Sequence, residues 1–152
     1  MNIKEKYMKE ALKEARKAVE KDEVPIGAVI VYGNKIIARG HNVKELKKDT
    51  TKHAEMIAIQ KASKKLDSWR LEDCEMYVTL EPCPMCAWAI LQSRIKSVYF
   101  GSYDLQYGAL GSKLNLSQLS SSKLHVKGGF MEEECDKILR DFFKRIRNDN
   151  KR

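Results

Sequence analysis

Two short motifs limit most strongly what this chain can fold into: His53 and Glu55 in an H-A-E motif, and Cys83 and Cys86 in a P-C-P-M-C motif about thirty residues later. Histidine and cysteine are preferred zinc ligands, and three protein ligands leave the fourth tetrahedral position to a water, as in catalytic zinc sites. Such a water loses a proton near neutral pH. We therefore predict one Zn²⁺ per chain, bound by His53, Cys83 and Cys86, with Glu55 as the catalytic residue that carries the proton.

Hydrophobic periodicity predicts helices that alternate with strands, and it places both motifs at helix starts. Gly33-Asn34 between two apolar runs predicts a two-residue hairpin turn. The predicted helices are 3–21, 53–66, 84–93 and 131–146, and the predicted strands are 28–32, 35–39, 76–80, 95–100 and 124–126. The predicted loops are 40–52 and 103–122, the second with room for a short helix.

This alternation is typical of an α/β layered fold, with a hairpin first and parallel strand pairing later. A length of 152 residues suits one domain with a sizeable core, so we expect a single zinc-dependent domain over 1–152. In open α/β sheets, ligands bind where strands lead into helices, and the metal motifs fall at such junctions.

The spacing within each motif restricts its local geometry. Cys83 and Cys86 share a face if they lie on one helix, and the positive end of that helix favours thiolates. His53 and Glu55 would point to nearly opposite sides of a regular helix. We therefore expect His53 in an irregular first turn, with the polar residues 49–51 as capping groups.

Two other readings of the cysteines remain open from the motifs alone. A C-x-x-C that opens a helix after a strand also fits a thioredoxin-like redox pair. A structural zinc would need a fourth ligand, for which Cys74, Cys135, His41 and His125 are candidates. The conjunction of the two motifs favours the catalytic site, so we interpret Cys74 and Cys135 as buried thiols and the two histidines as surface or packing residues.

The formal net charge of +8 suggests a polyanionic partner, although much of the lysine stands beside glutamate on predicted helix surfaces. The chain has no apolar run as long as a membrane span, and the charged N-terminal residues do not resemble a signal peptide. We therefore expect a cytoplasmic protein with no membrane partner.

Beyond the two zinc motifs, several further stretches of the sequence match a known family pattern. The matching stretches, zinc motifs included, are 23–30, 40–42, 53–56, 77–87, 93–95, 100–101, 104, 108–109, 111–112 and 142–147. Together they span nearly the whole chain and closely resemble the tRNA-specific adenosine deaminase family of the cytidine deaminase-like superfamily. The zinc motifs are those of the superfamily, and the flanking stretches are those of the tRNA-editing branch, so the resemblance implies a single zinc-dependent deaminase domain.

The resemblance implies a three-layer fold with a central mixed five-stranded sheet and helices on both faces. It implies that His53, Cys83 and Cys86 bind zinc, that Glu55 shuttles the proton, and that adenosine becomes inosine at the wobble position of a tRNA anticodon. A homodimer is also implied.

The resemblance further implies a binding pocket and an RNA surface. Asn42, Ala54 and Pro82 would contact the flipped base. Without the resemblance, Asn42 is better interpreted as a loop residue that tightens the turn before Val43. The basic residues Lys144, Arg145 and Arg147 near the end of the last helix would contact the anticodon stem-loop.

The sequence departs from the family pattern at a few positions outside the zinc motifs. Trp88 stands where glycine is common, and we interpret it as core or dimer packing. Four loop positions also differ, which leaves open which side chains grip the RNA: Gln106, Tyr107, Ser121 and Ser122. Two rival functions remain, a deaminase of free bases, nucleosides or nucleotides and a zinc-stabilised RNA-binding protein without catalysis.

Overall fold

The computed structural model describes residues 2–119, 121 and 123–151; Ser122 lies outside the described residues. In chain order the elements are α1 (Ile3–Glu20), β1 (Gly27–Tyr32), β2 (Lys35–His41), α2 (Lys44–Lys47), α3 (Ala54–Leu66), β3 (Cys74–Leu80), α4 (Pro84–Gln92), β4 (Ser97–Ser102), a 3-10 turn (Leu116–Leu119), β5 (His125–Lys127) and α5 (Glu132–Asn150). None of the described helices is both long and apolar enough to cross a membrane.

The strands form a mixed sheet in the order β2-β1-β3-β4-β5. Strand β1 runs antiparallel to β2 and β3, whereas β3, β4 and β5 are parallel. Strands β3 and β4 are buried along most of their length, as expected for parallel strands covered on both faces. The predicted α/β class, with a central mixed five-stranded sheet, is confirmed.

The predicted hairpin joins β1 to β2. Tyr32 pairs with Lys35 across the turn, and Gly33 and Asn34 both have positive φ, at 58° and 63°. Two such residues give a turn whose twist matches that of the flanking strands, which explains why this dipeptide was a reliable signal.

Helices cover both faces of the sheet and give the three predicted layers. Helices α1 and α5 pack with Val29, Val31 and Tyr77 on one face, and α3 and α4 pack with Ile30 and Val78 on the other. Cys74 and Cys135 are free thiols buried in the two cores, as the sequence predicted.

Gly40 sets how closely β2 approaches α3. A Cβ at this position would lie 2.4 Å from the carbonyl oxygen of Ala54 and 3.0 Å from the nitrogen of Ala58. Only a residue without a side chain fits between the two backbones. The contact holds the first turn of α3, which carries Glu55, against the sheet.

The predicted loop over 40–52 is wrong in part, because it contains the short helix α2. The buried carboxylate of Glu23 accepts hydrogen bonds from the backbone nitrogens of Glu45, at 3.1 Å, and Leu46, at 2.7 Å. A distant carboxylate therefore caps this helix, and a four-residue helix has too few turns to show apolar periodicity.

The fourth strand lies two residues later than predicted, at Ser97–Ser102 instead of 95–100. Backbone pairing with β3 extends to the pair of Leu80 and Ser102, beyond the end of the apolar run at Phe100. The small Gly101 and Ser102 interrupt the hydrophobic pattern, but their backbone continues the ladder.

Candidate active site

The two motifs meet at the edge of the sheet where the parallel strands β3 and β4 end. Cys83 is the N-cap of α4 and His53 is the N-cap of α3, and both have extended backbone, with φ and ψ of −73° and 172° for Cys83 and −80° and 153° for His53. Pro84 occupies the first turn of α4, as predicted. Helix starts thus position both motifs.

Helix α3 does not have the irregular first turn predicted from the sequence, because it begins at Ala54, after His53. Because His53 lies just before the helix, it is not bound by helical spacing and can face the same region as Glu55. The polar residues 49–51 do not cap α3: the Asp49 carboxylate accepts hydrogen bonds from the nitrogen and the hydroxyl of Thr51, at 2.9 and 2.7 Å. The capping prediction for these residues is therefore wrong.

Three candidate metal ligands form a tight cluster. His53 Nδ1 lies 3.6 Å from Cys83 Sγ and 3.5 Å from Cys86 Sγ, and the three ligand atoms all lie within 4.8 Å of one another. Zinc–sulfur and zinc–nitrogen bonds of ordinary length place two tetrahedral ligands about 3.6 Å apart. The donor set and its spacing therefore fit a zinc ion, and a thioredoxin-like redox pair has no need of the histidine.

A fourth protein ligand is not found among the described residues. Cys74 begins β3 at the opposite end of that strand, and Cys135 lies in the core on the α1–α5 face. His41 Nδ1 lies 3.1 Å from a Glu14 carboxylate oxygen, and His125 is exposed on β5. Among the described residues the cluster therefore offers three donor side chains, the number typical of catalytic zinc sites, and the structural-zinc interpretation lacks a fourth ligand.

The contacts within the cluster shift the pKa values of its members. The hydrogen bond with Cys86, supported by one with His53, lowers the pKa of Cys83 to about 4. The same contact with Cys83 raises the pKa of Cys86, and hydrogen bonding to Cys83 raises the pKa of His53. The Cys83 sulfur is therefore negative at neutral pH, the form in which a thiol binds a metal cation.

Glu55 lies in the first turn of α3 and is 3% exposed. Burial, together with the charge of the neighbouring Cys83, raises the pKa of Glu55 to about 7. Its Oε1 atom has no hydrogen-bond partner among the described residues. Because buried polar atoms are nearly always paired, this oxygen is available to a group that enters the site. A carboxyl with a pKa near neutrality can both accept and release a proton.

Asn42 is buried between the end of β2 and the start of α2. Its side-chain nitrogen donates to the Val24 carbonyl oxygen at 3.3 Å, and its side-chain oxygen accepts from the Lys44 nitrogen at 3.2 Å. These bonds tighten the turn, but an amide carries two N–H groups and two lone pairs, so it retains capacity for a ligand.

Ala54 and Pro82 adjoin the ligands in the chain and are both buried. Ala54 opens α3, directly after His53. The Pro82 carbonyl oxygen accepts a hydrogen bond from the Ala109 nitrogen at 2.9 Å, which joins the segment before Cys83 to the loop that follows β4.

Glu81 is a buried carboxylate that the sequence motifs did not single out. It is 2% exposed and accepts hydrogen bonds from the nitrogens of Asp104, Leu110 and Ser112 and from the Ser112 hydroxyl. The available signal was a charged residue directly after a buried strand, which needs partners if it is covered.

The basic residues of α5 separate into two groups. Lys144 and Arg147 line a groove of about 610 Å³, together with Arg140. Arg145 instead donates to the Asp22 carboxylate at 3.0 Å. The sequence prediction grouped Arg145 with the other two and overlooked Arg140, although the spacing 140, 144 and 147 places three cations on one helix face.

The groove starts at the same sheet edge as the candidate metal site. Its lining includes Ser102 at the end of β4 and the aromatic rings of Tyr103 and Phe143, which are 47% and 43% exposed. The carboxylates of Asp136 and Asp141 also line it, so the three cations exceed the acidic groups by one. Exposed rings beside cations provide surfaces on which unpaired bases can stack.

The remaining departures from the family pattern lie on the surface. Trp88 on α4 is 41% exposed, so its interpretation as core packing is wrong and dimer packing stays a prediction. Gln106 and Tyr107 are exposed and share a hydrogen bond of 3.1 Å, and Ser121 is also exposed.

Comparison with known proteins finds relatives among the deaminases. The MafB19-like deaminase family matches residues 2–147. The tRNA-specific adenosine deaminase of Bacillus subtilis (strain 168) is 49% identical over 153 residues, which cover 99% of this chain and 95% of the relative. That of Aquifex aeolicus (strain VF5) is 45% identical over 146 residues, which cover 95% of this chain and 97% of the relative.

A solved structure shares the fold over most of its length. It comes from studies of A-to-I editing by tRNA:A34 deaminases at the wobble position of transfer RNA, and it superposes with a TM-score of 0.84 at 42% identity. The match covers 88% of this chain and 98% of that one. The chain therefore belongs to the MafB19-like deaminase family and, with relatives of near-equal length, to the tRNA-specific adenosine deaminases.

Proposed function

We propose that this chain is a zinc-dependent hydrolase that converts adenosine to inosine at the wobble position of a tRNA anticodon. The observation that carries the proposal is the cluster of His53, Cys83 and Cys86 beside the buried Glu55. The near-full-length relatives that carry the tRNA deaminase name support the choice of substrate.

We propose that His53, Cys83 and Cys86 hold one Zn²⁺, which when bound would activate a water near neutral pH. Glu55 would take a proton from that water and deliver it to N1 of the adenine ring while the water oxygen bonds to C6. It would then pass the second proton of that oxygen to the amino group, so that the C6–N bond breaks, ammonia leaves, and water and adenosine give inosine and ammonia. The buried position of Glu55 keeps bulk water from competing for the proton.

The target base must leave its stack to reach this buried site, which costs least in a single-stranded loop. We propose that Asn42, Ala54 and Pro82 contact the flipped base. The remaining N–H and lone pair of the Asn42 amide suit a purine edge, and Ala54 and Pro82 add apolar contact beside the ligands.

The basic groove on α5 suits the RNA backbone. We propose that Arg140, Lys144 and Arg147 contact phosphates of the anticodon stem-loop, and that Tyr103 and Phe143 contact its unpaired bases. Arg145 contributes less in this proposal, because its guanidinium already pairs with Asp22.

We also propose that residues 1–152 form a single domain that acts as a homodimer in the cytoplasm, where its substrate is found. Trp88 supports a partner surface on α4, because a large exposed aromatic side chain is more stable when a second surface covers it.

The test is a substrate panel given to the zinc-loaded protein. An adenosine at the wobble position of an anticodon stem-loop should be converted to inosine. The same adenosine in a duplex, free adenosine, free cytidine and free guanine should react poorly. Added salt should weaken binding of the stem-loop steeply.

Two outcomes would contradict the proposal in different ways. Efficient, salt-insensitive deamination of a free base or nucleoside would favour the small-substrate deaminase. Tight binding of the stem-loop without conversion of any member of the panel would favour the RNA-binding protein without catalysis.

A further inference from the structure

The buried residue Glu81 directly precedes the P-C-P-M-C motif that contains two of the candidate metal ligands. Its carboxylate has no role in the proposed reaction. Among the salt bridges of the described residues, none includes Glu81. A buried carboxylate without a cation depends wholly on hydrogen bonds.

All four side-chain hydrogen bonds of Glu81 come from one loop, residues 104–112. Its Oε1 atom accepts from the Asp104 nitrogen at 3.2 Å and from the Ser112 hydroxyl. Its Oε2 atom accepts from the Leu110 nitrogen at 3.1 Å and the Ser112 nitrogen at 3.0 Å. The carboxylate therefore supplies hydrogen-bond acceptors to the loop, and the loop supplies the donors that a buried carboxylate needs.

The loop is also fitted closely around this carboxylate. A Cβ at Gly108 would lie 2.4 Å from the Glu81 carboxyl carbon and 2.4 Å from the Asp104 carbonyl oxygen. One residue along, the Ala109 nitrogen bonds the Pro82 carbonyl oxygen. Glu81 and Pro82 thus bind successive parts of the loop immediately before the first cysteine ligand.

The outward side of the loop presents side chains to solvent. Leu105 and Tyr107 are 81% and 59% exposed, and the Asp104 carboxylate accepts from the nitrogens of Gln106 and Tyr107. The buried half of the loop is fixed by Glu81, while the exposed tip stands at the same sheet edge as the cysteine ligands.

We propose that Glu81 is a positioning residue that holds the 104–112 loop against the segment carrying Cys83, so that the exposed tip is fixed for binding RNA around the flipped base. This role rests on the proposed function. Glu81 touches neither the metal ligands nor the substrate and acts through the loop.

The test uses the full-length zinc protein and two substitutions at Glu81. Glu81→Ala removes all four hydrogen bonds. Glu81→Gln should keep most of them, because its oxygen can serve Leu110 and Ser112 while its amide donates to the Ser112 hydroxyl; only the Asp104 nitrogen then loses its acceptor.

Amide hydrogen exchange reads the loop directly and needs no substrate. In Glu81→Ala, protection at the nitrogens of Asp104, Leu110 and Ser112 should fall about tenfold or more, because hydrogen bonds to a charged group are among the stronger ones. In Glu81→Gln, the loss should centre on Asp104. The matched control Glu75→Gln, a partly exposed glutamate on β3, the strand that leads into Glu81, should change none of the three.

Kinetics on the wobble stem-loop separates positioning from general damage. Glu81→Ala should raise KM about tenfold and lower kcat less, with zinc content unchanged, and Glu81→Gln should restore most of the loss. If Glu81→Ala does not fold, Ser112→Ala removes one donor without uncovering a charge. In the wild-type background this substitution should raise KM and lower protection at the Leu110 nitrogen, and unchanged exchange there would count against the proposal.

Unchanged exchange at the three amides in both Glu81 variants would overturn the proposal. Loss of zinc with the loop still protected would also overturn it, because Glu81 would then support the metal ligands instead. If the wild-type protein makes no inosine, the proposed function fails, but the exchange result still decides whether Glu81 holds the loop.

Discussion

The buried site and the basic groove on α5 lie at one edge of the sheet but are built in opposite ways. In the site, His53, Glu55, Cys83 and Cys86 are fixed by helix starts and packed close together. In the groove, exposed cations stand on one helix face beside exposed rings. Electrostatic interactions between buried groups are weakly screened, whereas those of exposed charges are screened by salt, so each exposed charge contributes only a small part of the binding free energy.

This difference suits the buried site to the chemical step and the groove to RNA binding. Each buried group has a unique geometric role, so its removal should abolish one chemical event. Each groove residue is one of several similar charges, so its removal should weaken RNA binding by a fraction. Substitutions that affect the chemical step and RNA binding separately therefore test this division between the buried site and the groove.

Loss of a metal ligand should have the largest effect. Cys83→Ser should lose zinc and reduce the rate by about a thousandfold or more, because the metal supplies several kcal/mol of transition-state stabilisation. Elemental analysis and inosine formation measure the two losses together. Cys74→Ser, at the opposite end of β3, should keep zinc; a Cys83→Ser protein with full zinc and activity would contradict the ligand assignment.

Removal of the buried carboxylate should come next. Glu55→Gln should lower kcat at least about a hundredfold, because a positioned acid–base group is lost. Zinc content and stem-loop affinity should stay close to wild type, since Glu55 is assigned no metal bond. Glu20→Gln, an exposed glutamate on α1, serves as the control. A Glu55→Gln protein that loses its zinc would show that the carboxylate serves the metal instead.

Neutralising the groove should have a smaller effect. Replacing Arg140, Lys144 and Arg147 together with alanine should raise the dissociation constant of the stem-loop, and the salt slope of binding should fall by about 0.7 for each lost phosphate contact. Arg145→Ala, whose guanidinium pairs with Asp22, should change the slope less. An equal or larger effect of Arg145→Ala would favour the grouping expected from sequence.

The smallest effect on chemistry is expected at Trp88, outside both regions. Trp88→Ala should weaken self-association, which analytical ultracentrifugation measures, while kcat per zinc site stays within about twofold of wild type, as for surface changes away from a site. A variant that dimerises as tightly as the wild type would remove Trp88 from the proposed dimer surface.

Local patterns predicted the frame of the molecule well. The Gly33-Asn34 turn, the alternation of strands and helices and the burial of Cys74 and Cys135 all follow from short-range signals, and the structure confirms them. The H-A-E and C-x-x-C motifs indicated which side chains should meet because a zinc site needs them together.

What the sequence missed depends on contacts between distant segments. Helix α2 exists because Glu23 caps it from about twenty residues away, and no local periodicity reports such a bond. The direction of Arg145 depends on how α5 packs near the end of α1, and the partners of Glu81 come from a loop beyond the next strand. Helical spacing also could not predict the extended backbone of His53, because that residue lies just outside the helix.

The most direct test of the central claim is the single-turnover rate of inosine formation at saturating wobble stem-loop, compared between wild type and the Arg140, Lys144 and Arg147 triple variant. Equal single-turnover rates are expected for the two proteins once the RNA is bound, because the chemistry resides in the buried site. A rate about a hundredfold lower in the triple variant at saturation, as large as the loss expected for the catalytic carboxylate, would contradict the separation of chemistry from recognition.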